Sequence, residues 1–319
     1  MYKIGIDLGG TSIKAGLVSQ SFEILLEKNT PTNISVGAEN IIRRIAELAD
    51  ELVREAQIPE EQIQGIGIGS PGVIDRRRGV VLYSNNFYWE NVPLLDILGT
   101  YTSRRAFIAN DAQCAVLGEL VAGAGVGCQD LVLLTLGTGV GSGIVVNGRI
   151  FEGGGGGGIY GHNIIVRNGE PCTCGRRGCA ESYASATALI RRTRELVVSG
   201  KSPALAKLCS HDIQKVTGKT VFDAAKQSDP SSCALVKDYI EELGESIVNL
   251  INLFRPQKVL LSGGICNQGQ YILEPLNKFV QENCYAGKYL PIAPVEIAKL
   301  GAKAGLVGAA ALIHEVGSP

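Results

Sequence analysis

Apolar residues near the start of the chain follow the pattern of a strand meander and then a long helix. Short β-branched runs at residues 2–6, 13–18 and 22–27 predict three antiparallel strands with a glycine-rich first turn. Between residues 37 and 57, apolar side chains recur at three- and four-residue spacing with Glu and Arg between them. This spacing predicts an amphipathic helix.

The rest of the chain alternates short apolar strands with helices. Strands are predicted at residues 65–68, 106–109, 258–261 and 295–298, and helices at residues 184–198, 232–254 and 302–314. This alternation is typical of an α/β fold with a mostly parallel sheet. At roughly 150 residues per domain, the 319 residues predict two domains. We expect an N-terminal α/β domain of residues 1–110, joined by the C-terminal helix 302–319, and a larger C-terminal α/β domain of residues 111–301.

A second glycine-rich hairpin, at residues 131–146, is similar to the first one. Aligning residues 7–18 with residues 135–146 pairs Leu8 with Leu136 and Gly9 with Gly137. The similarity indicates either a duplicated domain or a chance likeness of two hairpins.

Composition and charge exclude several classes of protein. Lys plus Arg is 30 and Asp plus Glu is 31, so the chain has no basic surplus for binding nucleic acid. The chain has no window of 18 apolar residues anywhere, and no leader pattern precedes its first strand. We therefore expect a soluble, cytoplasmic protein that does not bind membranes.

Glycine is unusually abundant, with 41 of 319 residues, against a typical usage of about 7%. The turn Asp7-Leu-Gly-Gly-Thr11 exposes backbone N–H groups that can hold phosphate, while Asp7 can hold a hydrated Mg²⁺. The turn Leu136-Gly-Thr-Gly-Val-Gly141 can hold phosphate in the same way. The two turns together therefore predict a nucleotide site. Gly263 and Gly264 end a strand, where either a nucleoside or a plain turn fits.

Asp111 lies just after the predicted strand 106–109. A carboxylate at the carboxyl end of a sheet strand can accept a proton from a substrate hydroxyl. The alternative is that Asp111 only caps the helix that follows.

Three of the nine cysteines are clustered, and a histidine precedes them. Cys172, Cys174 and Cys179 together with His162 supply the four ligands of a closed, structural zinc site. An iron–sulfur ligand set and unrelated thiols are the alternatives. His211 is a weaker candidate for the fourth ligand because it lies farther along the chain.

These motifs together resemble the ROK family (repressor, open reading frame, kinase) of sugar kinases. The resemblance spans essentially the whole chain and rests on Asp7–Thr11, Gly69–Gly72, Asn85–Trp89, Asn110–Ala112, Leu136–Gly139, Gly161-His162, Cys172–Cys179, Glu181–Ser185, Ser262–Gly264 and Gly301–Ala310. It implies an α/β, two-domain, actin-like ATPase (ribonuclease H-like) fold of the hexokinase type with a central cleft.

The resemblance also implies an ATP-dependent kinase for the 6-hydroxyl of a hexose, most simply glucose, with Asp111 as general base. The implied sugar ligands are Gly72, Asn86, Asn110, Asp111, His162 and Glu181. The implied ATP ligands are Asp7, Gly9, Gly10, Thr11, Lys14, Gly137, Thr138, Gly139, Gly263 and Gly264. His162 would ligate zinc through one ring nitrogen and face the sugar with the other. The implied cofactors are ATP, Mg²⁺ and structural Zn²⁺, and the implied assembly is a homo-oligomer, a dimer or tetramer.

Two positions depart from the family pattern. Ile159 stands where the family usually has a Glu that binds sugar hydroxyls, and isoleucine cannot accept a hydrogen bond. The Gly153–Gly158 run beside it could let the chain rearrange, and Glu152 is a weak candidate to replace the missing carboxylate. Gln113 replaces a common Asn, which is a conservative change in chemistry.

Other functions compete with a glucose kinase. Because of Ile159, the chain could phosphorylate another hexose or an N-acetylhexosamine such as N-acetylmannosamine, or bind sugar with weakened catalysis. A sugar-responsive repressor would carry a DNA-binding segment before the first hairpin, and Asp7 lies only six residues from the start, so we disfavour it. An iron–sulfur ATPase is disfavoured because three Cys and one His suit zinc better.

Overall fold

The computed structural model describes residues 1–315, which form thirteen strands and ten α-helices. The strands are β1 (Tyr2–Leu8), β2 (Ser12–Val18), β3 (Ile24–Pro31), β4 (Ile63–Ser70), β5 (Val73–Asp75), β6 (Val80–Ser84), β7 (Trp89–Val92), β8 (Ala106–Asn110), β9 (Leu131–Leu136), β10 (Val140–Val146), β11 (Arg149–Ile150), β12 (Lys258–Ser262) and β13 (Val295–Ile297). The helices are α1 (Ala38–Ala56), α2 (Leu94–Gly99), α3 (Asp111–Ala122), α4 (Glu181–Ala184), α5 (Ala186–Val198), α6 (Pro203–Leu208), α7 (Thr220–Lys226), α8 (Pro230–Phe254), α9 (Gln270–Asn283) and α10 (Ala304–Glu315).

The first sheet has the strand order β3-β2-β1-β4-β8. Strands β1, β2 and β3 pair antiparallel, and β4 and β8 continue the sheet in parallel, which confirms the predicted meander and parallel strands. The third strand begins at Ile24, two residues later than predicted, because Phe22 has a positive φ of 63° in the turn before it. Helix α1 confirms the predicted amphipathic helix, and its apolar face is buried.

Helix α10 packs on the first sheet at positions where the strands carry glycine. A Cβ on Gly5 would lie 2.2 Å from the Leu306 carbonyl oxygen, and one on Gly67 would lie 1.7 Å from that of Ala309. These glycines let the helix backbone touch the sheet. Part of the glycine excess therefore serves packing between a helix and strands.

The second sheet repeats the strand order of the first. Its order is β11-β10-β9-β12-β13, so both sheets follow the scheme 3-2-1-4-5 in their own strand numbering. As in the first sheet, the third strand pairs antiparallel with the second, and the last two strands pair in parallel. The shared topology favours a duplicated domain over a chance likeness of two hairpins.

Short elements account for two further differences from the sequence predictions. Strands β5, β6 and β7 form a separate three-stranded antiparallel sheet that the sequence pattern did not predict, because its strands have only three to five residues. The helix predicted at residues 184–198 is divided at Ser185, which is extended and caps α5 by accepting a hydrogen bond from Ala188 N at 3.0 Å.

The chain separates into two compact units. One comprises Met1–Leu133, Gly143–Gly158 and the segment from Ala298 through α10, and the other comprises Leu134–Ser142 and Ile159–Ile297. The first unit extends beyond the domain end predicted at residue 110 because α3 packs against α10. Within residues 1–315, no helix has the length and apolar character needed to cross a membrane.

Candidate active site and metal centre

The glycine turn between β1 and β2 presents backbone donors beside two charged side chains. Gly9 N–H closes the turn on the Ser12 carbonyl at 3.0 Å, whereas the N–H groups of Gly10 and Thr11 bond to nothing in the described chain. Lys14 Nζ lies 3.8 Å from Asp7 Oδ2 across the strand pair. Free N–H groups next to a cation suit an anionic ligand.

Asn86 belongs to the same neighbourhood. A Cβ added to Gly10 would lie 3.7 Å from the Asn86 side-chain nitrogen, so this predicted sugar ligand lies beside the predicted phosphate turn. Burial raises the pKa of Asp7, the nearby Lys14 lowers it, and the charge of Asp111 raises it. The first unit therefore brings Asp7, Gly10, Asn86 and Asp111 into one region.

Helix α3 begins with a capping arrangement that frees Asp111. Asn110 is the N-cap, and its Oδ1 accepts from Ala112 N at 2.9 Å and from Gln113 N at 3.4 Å. Gln113 completes a capping box by accepting from Asn110 N at 3.2 Å. The alternative that Asp111 caps the helix is wrong, since Asn110 has that role. Gln113 was not predicted as a site residue, although Asn followed three positions later by Gln is the capping-box signal.

The Asn110 side chain also connects helix α3 to the turn after β4. Its Nδ2 donates to the Gly72 carbonyl at 3.0 Å, and Gly72 has a positive φ of 120°. A Cβ at Gly72 would lie 2.2 Å from the Tyr83 carbonyl oxygen, so only glycine fits there. These contacts hold the backbone on both sides of Asp111.

The Asp111 carboxyl group is accessible to solvent but surrounded by protein. This loss of hydration raises its pKa, and hydrogen bonds from Ala112 and Asn110 lower it by less. Its Oδ1 accepts from Ala112 N at 2.8 Å, and no ion pair joins it among residues 1–315. A carboxylate of this kind can take a proton.

In the second unit, the turn between β9 and β10 is held by Glu181. Gly137 N–H bonds to the Gly139 carbonyl at 3.0 Å, while Thr138 and Gly139 donate to nothing in residues 1–315. Glu181 Oε2 accepts from Val140 N at 3.1 Å, and a Cβ on Gly139 would lie 2.2 Å from that oxygen. Glu181 Oε1 accepts from Thr173 Oγ1 at 3.2 Å, which links it to the cysteine loop.

Gly263 and Gly264 follow β12 in the second unit. Gly263 has φ 117°, and a Cβ there would lie 2.2 Å from the Leu136 carbonyl oxygen. Gly264 faces open space. The tight packing accounts for Gly263, and the open surface at Gly264 leaves room for a ligand.

His162, Cys172, Cys174 and Cys179 form a compact cluster. Their ligand atoms all lie within 4.8 Å of one another, and His211 is not among them. Cys172 Sγ lies 3.5 Å from His162 Nδ1, and Cys174 Sγ lies 3.7 Å from Cys179 Sγ. Three sulfurs and one nitrogen at these separations fit a tetrahedral zinc ion.

The thiols of this cluster differ in acidity. Burial opposes ionisation of Cys172, but hydrogen bonds from Cys174 and His162 lower its pKa to about 6. Burial and the neighbouring thiols raise the pKa of Cys179 to about 12. A bound cation would let all three thiols ionise together.

Ile159 precedes a short 3-10 helix, Tyr160–His162, and is 49% exposed. Tyr160 N–H, the next donor along the chain, bonds to Ser142 Oγ at 2.7 Å. Glu152 forms an ion pair with Arg76, so its carboxylate is already engaged. The side chain at position 159 is therefore an exposed apolar group three residues before His162.

The chain is similar to known proteins over almost its whole length. Residues 3–316 match the family described as the ROK family. The chain is 39% identical over 317 residues to a glucokinase of Thermotoga maritima, covering 98% of this chain and 97% of that protein.

The chain is also similar to a solved structure and to a repressor. The structure of a ROK family glucokinase from Streptomyces griseus in complex with glucose and AMPPNP is similar with a TM-score of 0.80 at 33% identity, covering 98% of this chain and 99% of that one. A xylose repressor of Caldicellulosiruptor bescii is 30% identical over 311 residues, which are 97% of this chain and 77% of the repressor.

Proposed function

The chain belongs to the ROK family, and we propose that it is an ATP-dependent hexose kinase that phosphorylates the 6-hydroxyl of glucose. The likeness to ROK glucokinases confirms the predicted actin-like α/β fold. The observation that carries the proposed chemistry is Asp111, a carboxylate with a raised pKa that is positioned by Asn110 and free of any ion pair in the described chain.

Asp111 is proposed as the general base. Its carboxylate removes the proton from the sugar 6-hydroxyl as that oxygen attacks the γ-phosphorus of ATP. The bond from phosphorus to the bridging oxygen breaks, ADP leaves, and Asp111 holds the proton until it passes to solvent. Phosphoryl transfer depends mainly on positioning and charge neutralisation, which the fixed backbone around Asp111 favours.

The two glycine turns are proposed to hold the nucleotide. Each has two consecutive N–H groups without a partner in residues 1–315, at Gly10 and Thr11 and at Thr138 and Gly139. Asp7, with its carboxylate beside Lys14, fits a hydrated Mg²⁺, because Mg²⁺ keeps waters and needs few carboxylates. When bound with ATP, Mg²⁺ would neutralise phosphate charge.

The cysteine cluster is proposed to hold a structural zinc ion. Its donor set leaves no open position for a substrate. His162 Nδ1 faces Cys172, so Nε2 is available for a sugar hydroxyl. Glu181 is proposed as a second sugar contact because Thr173 and Val140 orient its carboxylate. Homo-oligomerisation and a cytoplasmic location stay predictions.

An assay with a panel of sugars tests the proposal. We expect purified protein with ATP and Mg²⁺ to release ADP in the presence of glucose, measured by a coupled assay. Mannose and N-acetylmannosamine should be included because Ile159 cannot accept a hydrogen bond from a sugar hydroxyl. The absence of sugar-stimulated ADP from every hexose and N-acetylhexosamine would refute the kinase function.

The variant Ile159→Glu tests how this position sets specificity. A carboxylate there can accept hydrogen bonds from sugar hydroxyls, and such charged bonds contribute about 1.5–3 kcal/mol. We expect the KM for glucose to fall about 10- to 100-fold, with a smaller change in kcat.

The control is Val198→Glu, which introduces the same charge at a residue that is 72% exposed. It should leave the KM unchanged. An unchanged glucose KM in Ile159→Glu would show that position 159 does not face the sugar.

A further inference from the structure

The first unit contains a cavity that the proposed kinase site does not use. It has a volume of about 560 Å³ and lies between the turn that follows β5 and the Gly153–Gly155 part of the glycine run. Its volume is in the range of small-molecule sites. No motif in the sequence assigns a ligand to the lining arginines or to these glycines.

Three consecutive arginines give this cavity its charge. Arg76 pairs with Glu152, and Asp75 accepts from Arg78 N at 3.0 Å and lies 3.9 Å from its guanidinium. Arg77 is exposed and has no ion pair within residues 1–315. Three guanidinium groups against two carboxylates leave a positive surplus, centred on Arg77.

The glycine run adds backbone donors on the opposite wall. Gly155 and Gly157 both donate to the Glu152 carbonyl at 3.0 Å, whereas Gly154 and Gly156 donate to nothing in the described chain. Positive φ angles of 112° at Gly155 and 65° at Gly156 favour glycine in this loop. A Cβ at Gly156 would lie 3.0 Å from Val73 Cγ1, so the loop packs closely on β5.

We propose that this cavity binds a phosphate-bearing anion. A guanidinium group and a phosphate form paired, charge-assisted hydrogen bonds, and backbone N–H groups of a glycine loop add further donors. The surplus charge at Arg77, the exposed guanidinium of Arg78 and the free N–H group of Gly154 all line the cavity and suit phosphate oxygens. The volume accommodates either an inorganic phosphate chain or a phosphorylated sugar.

Hydrogen–deuterium exchange with inorganic triphosphate tests this site directly. We expect triphosphate to slow exchange in peptides covering residues 74–82 and 150–158 of the full-length protein. In the double variant Arg77→Gln, Arg78→Gln, the concentration needed for half of that protection should rise at least about tenfold, since two charge-assisted contacts are lost. Orthophosphate and hexose 6-phosphate, compared in the same way, distinguish an inorganic anion from a phosphorylated sugar.

A charge-matched control distinguishes a specific anion site from a general electrostatic attraction of anions to the protein. The double variant Arg54→Gln, Lys288→Gln removes two exposed positive charges elsewhere and should behave as the wild type. Equal protection in the Arg77 and Arg78 double variant and the wild type would overturn the proposal. So would protection confined to residues 8–14 and 136–140, a result that would still support the nucleotide turns.

Discussion

Asp111→Asn is expected to reduce kcat about 10²- to 10⁴-fold while leaving sugar binding largely intact. Asparagine keeps the shape and the hydrogen bond from Ala112 N but cannot accept a proton. Coupled measurement of ADP release gives kcat, and isothermal titration with glucose gives the affinity. Asp96→Asn, which makes the same change on the exposed surface of α2, should retain full activity.

The pH dependence provides a second readout for Asp111. Because the surrounding protein removes hydration from the carboxylate and so raises its pKa, Asp111 loses its charge at a higher pH than an ordinary Asp, whose pKa is about 3.9. The kcat/KM of the wild type should therefore fall on the acid side as pH drops through this raised pKa. An acid limb that persists unchanged in the residual activity of Asp111→Asn would assign that limb to another group.

The substitution Asp111→Asn should lower the activity without lowering the stability of the fold. A raised pKa in the folded state means that the ionised carboxylate destabilises the fold at pH values above it, and this effect disappears as the pH falls. At neutral pH, Asp111→Asn should thus be at least as stable as the wild type in thermal unfolding. A large loss of stability would show that Asp111 has mainly a structural role.

Cys179→Ser is expected to abolish zinc binding and destabilise the segment between His162 and Glu181. Removing one ligand from a closed site loses most of the metal's contribution to folding, which is about 10–16 kcal/mol for structural zinc in small domains. If only 3 kcal/mol of this reaches the second unit, the melting temperature falls by about 6–12 °C. Glucose-dependent kcat/KM should fall at least about 100-fold, because two proposed sugar contacts lose their positions.

Metal analysis and a matched serine variant check this result. The wild type should contain about one zinc per chain and show no visible absorbance, whereas Cys179→Ser should contain none. Cys233→Ser, which changes an exposed thiol outside the cluster, should keep the metal, melting temperature and activity. A brown wild-type protein, or a metal-free one with full stability, would contradict the zinc assignment.

The amino-acid sequence determined the elements whose signal is local. The periodic apolar face of α1 and the β-branched runs of β1 and β2 predicted those elements, because a period of 3.6 or 2 places consecutive apolar residues on one face. The cysteine spacing likewise predicted a metal cluster, because Cys172, Cys174 and Cys179 lie within one loop. Asp111 was predicted from its place after a strand.

Only the tertiary structure decided the features that depend on distant residues. The capping box at Asn110 is local, but the hydrogen bond from Asn110 to the Gly72 carbonyl joins residues 38 positions apart. Glu181 is oriented by Val140, which lies 41 residues earlier. The ion pair between Arg76 and Glu152, beside the glycine run, joins residues 76 positions apart. Such contacts form only when distant segments of the chain come together, so no local periodicity predicts them.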